Sequence, residues 1–67
     1  MNAPFGEIPS RLMPVARLVG QGKENDEIAR ALNLAPHTIE NYVSELKDIL
    51  EAHGRVDLAF KCIGIDS

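Results

Sequence analysis

The side chains able to do chemistry gather in one stretch. His37, Thr38, Glu40, Asn41, Tyr42, Ser44, Glu45, Lys47 and Asp48 follow one another, interrupted only by Ile39, Val43 and Leu46. Catalysis suits them poorly. Glu40, Asp48 and Glu51, spread along a helix, make a solvated face more readily than an acid–base pair. His37 and His53 are the only histidines, and neither has a Cys or His at ligand spacing, so no metal site is expected. Gly20 and Gly22 lack the rest of a phosphate-binding loop. Four short helices leave no room for an ordinary substrate cavity. Neither an enzyme nor a cofactor-binding protein is expected, and what remains is a row of hydrogen-bonding groups and charges on a surface.

The elements that must carry this row are legible from apolar spacing. Ile28, Ala29 and Leu32 share one helical face. Asn25 precedes them as the expected N-cap, and Asp26 and Glu27 follow in the first turn, where carboxylates meet the positive end of the helix dipole. Asn33 tolerates the left-handed conformation that commonly ends a helix, and Leu34 is expected to tuck into the corner. Pro36 suits the first position of a new helix. Ile39, Val43, Leu46 and Leu50 then form one apolar stripe. Two helices joined by so short a turn cross steeply, as in a helix-turn-helix. Before them, Val15, Leu18 and Val19, with Leu12 a further candidate, line a helix from near Ser10 to Gln21, stopped by Gly22. Pro14 must fall in its first turn. After them, Gly54 breaks the chain and a short helix runs from Arg55 to about Ile63, with Leu58, Ala59 and Cys62 facing in. The expected fold class is all-α: a flexible tail over 1–9, a four-helix domain over 10–63 and a second tail over 64–67.

Composition bounds this reading. The chain has 67 residues, hydrophobic residues making up 45% and no Trp, so it holds one small domain. Its net charge is −3, and the segment 36–52 alone accounts for that value, with Glu40, Glu45, Asp48 and Glu51 against Lys47. A dedicated nucleic-acid binder more often carries a basic patch. The single cysteine, Cys62, excludes an internal disulfide; it reads as a small buried apolar residue in a reducing, cytoplasmic protein. No apolar run reaches membrane-spanning length, and the N-terminus has no signal-peptide pattern.

The segment EIARALNLAPHTIENYVSEL resembles the C-terminal DNA-binding domain of the LuxR/GerE family of bacterial transcription regulators. The chain follows that family's pattern at Glu27, Ile28, Ala29, Leu32, Leu34, Thr38 and Leu50, with Ile39 and Leu46 as close apolar substitutes. The similarity runs without gaps from about Ile8 to Cys62. It implies that the helix beginning at Pro36 enters a DNA major groove, with Thr38, Asn41 and Ser44 near bases or phosphates. Asn41 can pair with adenine, and Glu40 or Glu45 can accept from cytosine N4. His37 and Tyr42 can reach phosphates, and Lys23, Arg30, Lys47 and Arg55 would supply backbone affinity. Thr38 also suits a plainer role, its hydroxyl bonding its own backbone at a helix start. Such receiver or ligand-sensing domains as the family carries N-terminally are not seen in this chain, so a signal would arrive through a partner or through abundance.

The chain departs from the family both around its first helix and on the recognition helix. Pro9 stands where the family caps its first helix with Thr or Ser, Leu12 where its Arg-Glu pair has the acid beside Arg11, and Ala35 where it caps with Ser. Glu40 replaces a groove-facing lysine, Tyr42 a histidine and Ile49 a late lysine. Two functions follow. In one, the chain is a minimal DNA-binding transcription regulator acting as a homodimer on double-stranded DNA, paired through the last helix by Phe60 and Ile63. In the other, the fold is a DNA-incompetent module that docks on a basic protein surface, such as another LuxR-type regulator that it antagonises.

Overall fold

Pro14 governs how the domain begins. The computed structural model describes residues 8–66, and its first element is a 3-10 turn, Ser10–Leu12, leading into helix α1, Met13–Gly20. A continuous α-helix from Ser10 would need the N–H of residue 14 to reach the Ser10 carbonyl. Proline has none. The Met13 N–H serves that carbonyl instead, in the tighter 3-10 pattern. The expected single helix from Ser10 to Gln21 is therefore two pieces.

Helices α2, Asn25–Leu32, α3, Pro36–Leu50, and α4, Arg55–Cys62, follow, and a 3-10 turn, Ile63–Asp66, closes the described chain. Among the described residues there is no strand. Helix α2 begins one residue earlier than its best single-residue cap would suggest. Glu24, extended at φ −82° and ψ 162°, is the N-cap, and it forms a capping box with Glu27. The Glu24 N–H donates to Glu27 Oε1 at 2.8 Å. A reciprocal pair three residues apart outweighs the propensity of Asn25, whose side-chain oxygen accepts from Arg55 Nη1 instead.

Three helices end alike. The N–H groups of Lys23, Leu34 and Ala52 fold back to the carbonyls of Leu18, Ala29 and Lys47 at 3.1, 2.9 and 2.9 Å. Each closure turns on one left-handed residue: Gly22 at φ 86°, Asn33 at 57° and Glu51 at 54°. The first two were legible from residue type, and Glu51 was not. Leu34 departs from expectation. It is 40% exposed, because its backbone N–H, not its side chain, closes the corner.

The core is one apolar cluster. Leu12, Val15, Ala16 and Val19 of the N-terminal elements meet Ile28 and Ala29 of α2, the stripe Ile39, Val43, Leu46 and Leu50 of α3, and Leu58 and Cys62 of α4. Leu18 is only half-buried, and Ala16 takes the inward position that was expected of it. Two assignments to tails need correction. Ile8 is buried in the core, and Ile65 packs against it from the closing 3-10 turn. A domain this small uses apolar residues at both ends to cover its core. The rest of the N-terminal segment, 1–7, lies outside the described residues.

Gly20 decides how closely α1 and α4 approach. A Cβ on this residue would stand 2.7 Å from the Cys62 carbonyl oxygen and 2.8 Å from its carbon. The two helices thus touch backbone to backbone at this point, which only glycine permits.

Candidate nucleic-acid interface

The long apolar stripe of α3 determines which of its polar groups face outward. With Ile39, Val43, Leu46 and Leu50 buried, the opposite side carries His37, Asn41, Ser44 and Asp48, all exposed. At about 100° per residue these four lie on one face of the helix. The stripe behind it makes the packing contacts.

The other residues expected at this surface sit on its flanks. Glu40 and Glu45 lie about 140° apart around the helix axis, so they border opposite edges. Lys47 shares the Glu40 edge and is half-buried. Thr38, Tyr42 and Glu45 line the other edge, each half-buried. Tyr42 packs against the core cluster together with Ile49. Ile49, where the resemblance has a basic residue, is thereby at the edge of the core. Ala35 provides no side-chain cap for α3. The Thr38 and Ile39 N–H groups are served by the Ala35 carbonyl, at 3.0 and 3.3 Å.

Arg11 is the residue the sequence reading passed over. From the 3-10 turn it reaches α3 and forms a two-pronged pair with Glu45, Nη1 to Oε1 at 3.1 Å and Nη2 to Oε2 at 2.7 Å. Its guanidinium carbon lies 5.6 Å from the centre of the Tyr42 ring, within range of a cation–π contact. Bonding to Arg11 holds the Glu45 carboxyl below its usual pKa, and the Glu45 carboxylate raises that of the guanidinium. One of the four acids of the 36–52 segment is therefore neutralised within the fold. No local signal could reveal this, since the partners stand 34 residues apart in the chain.

The basic residues divide by task. Arg55, expected from the sequence to contact the DNA backbone, also ties the fold together: it donates to Asn25 Oδ1 and, at 2.6 Å, to the Lys23 carbonyl. Lys61 reaches Asp57 at 3.2 Å and the Glu51 carbonyl at 3.0 Å. Asp57 also accepts from the His53 N–H at 2.9 Å. That bond first, and Lys61 second, hold its carboxyl below the usual range. Lys23 and Arg30 remain exposed. Burial pushes the Cys62 thiol up, as befits a core residue.

A separate apolar strip runs along α4 into the closing 3-10 turn. Val56, Phe60 and Ile63 are 85%, 74% and 56% exposed, and their spacing puts them on one outward face. Phe60 and Val56 also border a shallow groove of about 580 Å³ shared with His53, Gly54 and Asp57. Among the described residues no group of His, Cys, Asp or Glu is arranged to hold a metal ion. Among those residues, no helix is long and apolar enough to cross a membrane.

Comparison with known proteins agrees with this architecture. Response regulator PprB of Pseudomonas aeruginosa is 38% identical over 58 residues, covering 87% of this chain and 21% of that protein. Response regulator UvrY of Escherichia coli K12 is 30% identical over 62 residues, covering 92% of this chain and 28% of that protein. The chain thus spans under a third of the length of these curated relatives. No solved structure is significantly similar to it. The family of bacterial regulatory proteins termed luxR matches residues 10–62. With its turn at Asn33, its α3 stripe and that match over most of its length, the chain belongs to the luxR family of bacterial regulatory proteins.

Proposed function

We propose that this chain is a DNA-binding module of a transcription regulator, with α3 as the recognition helix and the face of His37, Asn41, Ser44 and Asp48 turned to the major groove. The observation that carries the reading is this exposed polar face on a helix whose other side is wholly used by the core. A groove admits one helix and reads it through outward side chains of this kind. Asn41 can pair with an adenine edge, Ser44 can serve several bases, and Asp48 can accept from cytosine N4. Glu40 and Lys47 on one edge, and Thr38, Tyr42 and Glu45 on the other, stand toward the phosphates, with His37 near the helix start. Lys23 adds a cation at the turn before α2.

The module acts as a homodimer through Val56, Phe60 and Ile63. So thin a supply of free cations favours two copies on one duplex, since linked sites multiply affinity without new contacts.

One observation favours a second reading, in which α3 docks on a basic protein surface such as that of another luxR-family regulator. Glu40, Asp48 and Glu51 are exposed acids, and acids oppose phosphates while suiting basic patches. A single variant separates the two. Glu40→Lys should tighten non-specific DNA binding and steepen its salt dependence if α3 meets DNA. If α3 meets a basic protein, the same change should slow association with that partner. A titration of wild type and Glu40→Lys against mixed-sequence duplex at low and moderate salt is decisive. Absence of DNA binding by either protein at low salt would refute the first reading.

A further inference from the structure

We infer that Arg11 is a phosphate contact of the DNA interface and that Glu45 and Tyr42 are the residues that position it. The inference rests on the DNA-binding reading above. Arg11 does not belong to the recognition helix. It comes from the 3-10 turn before α1, yet the forked pair with Glu45 brings its guanidinium to the edge of α3. Glu45 lies one helical turn beyond Asn41, so this cation borders the outward polar face.

The chemistry of the group supports a bridging role. A guanidinium has five N–H donors in a fixed plane. Glu45 takes two of them, one on each terminal nitrogen; the donors turned away from Glu45 and Tyr42 are left for an anion arriving from solvent. The side chains of Arg11 and Glu45 are 53% and 43% exposed, so an anion can approach. Tyr42 lies 5.6 Å from the guanidinium carbon and limits where that plane can swing. A flexible arginine loses rotamer freedom when it binds phosphate. Here much of that loss has already occurred in the free protein.

Glu45 thus has a role different from that of Glu40. As a bare charge it repels DNA; as the anchor of Arg11 it holds a donor set in place. The two roles predict opposite signs. Affinity for a short labelled duplex of mixed sequence should be measured by anisotropy over a salt series. The proteins needed are wild type, Arg11→Gln, Glu45→Gln and the double variant, each checked for folding by thermal melting. Arg11→Lys serves as the conservative comparison. Arg11→Gln should weaken binding about five- to tenfold and reduce the slope of log affinity against log salt by about one. Arg11→Lys should recover most of the slope but less of the affinity, since it keeps the charge and loses the fork.

Glu45→Gln should weaken binding when Arg11 is present and tighten it when Arg11 is Gln. That reversal is the signature of positioning. Tighter binding on Glu45→Gln in both backgrounds, or an unchanged slope on Arg11→Gln, would overturn the inference while leaving the DNA-binding reading intact. No binding by wild type at low salt would overturn both.

Discussion

Gly20 and Glu51 are two residues whose identity matters for opposite reasons. At Gly20 a methyl group would press on the Cys62 backbone at 2.7 Å. A carbonyl cannot rotate away as a flexible side chain can. Replacing glycine by alanine inside a helix gains roughly 1 kcal/mol of propensity, whereas overpacking of this kind costs about 1–3 kcal/mol. The clash should win. Gly20→Ala is expected to lower the melting temperature by several degrees, and a more stable variant would show that α1 and α4 can separate without penalty. Glu51 stands at φ 54°, where a side chain other than that of Gly or Asn is strained. It also puts a carboxylate at the negative end of α3. Glu51→Gly relieves both, and the carbonyl that accepts from Lys61 remains. It should stabilise the domain by about 1 kcal/mol after the greater flexibility of unfolded glycine is subtracted. Urea unfolding would detect this as a higher midpoint at unchanged slope.

At the scale of elements, the joint between α3 and α4 depends on one carboxylate. Asp57 accepts from the His53 N–H just before α4 and pairs with Lys61 one turn on. Its pKa is lowered by that N–H first and by Lys61 second. A carboxyl depressed in the folded state contributes stability above its unfolded pKa, and that contribution is lost as pH falls through the folded pKa. Asp57→Asn should therefore be less stable than wild type at neutral pH. The gap should narrow as pH drops below about 4, the ordinary range for aspartate. Melting curves at several pH values would test this, and a gap independent of pH would mean that the bond to His53 does not depend on the charge. Glu45, lowered by Arg11, adds to the acid sensitivity of wild type but not to the difference between these two proteins. The start of α2 shows the same principle in its legible form. Its capping box sits three residues apart in sequence, and only attention to Glu27 rather than Asn25 was needed to find it.

For the whole molecule, the apolar strip of α4 sets the expected assembly. Phe60 and Ile63 remain exposed because the core is already filled by Leu58 and Cys62 from the same helix. Val56 was not anticipated and extends the strip by a turn. Phe60→Asp and Ile63→Asp should each give a folded monomer in sedimentation, where wild type at high micromolar concentration is expected to sediment as a dimer. A monomeric wild type under those conditions would rule out the pairing. The net charge of −3 should act at this scale too, and a shallow salt slope of non-specific DNA binding is the expected result.

The sequence by itself determined helices α2, α3 and α4, the turn at Asn33, the stripe Ile39–Val43–Leu46–Leu50 and the stop at Gly22. These depend on hydrogen bonds and side-chain periodicities that span five residues or fewer, so residue type and spacing are enough to read them. It also carried the family resemblance. Which polar residues face outward on α3 follows from the same stripe, and Asn41, Ser44 and Asp48 were legible for that reason, whereas Glu45, expected beside them, is half-buried on the flank against Arg11. The tertiary structure alone decided that Arg11 meets Glu45 across 34 residues, that Arg55 reaches Asn25 across 30, and that Ile8 closes the core. It alone brought the Gly20 backbone against that of Cys62. Each of these depends on the distance between two elements, and that distance is set by how all the buried side chains pack together. No local pattern encodes it.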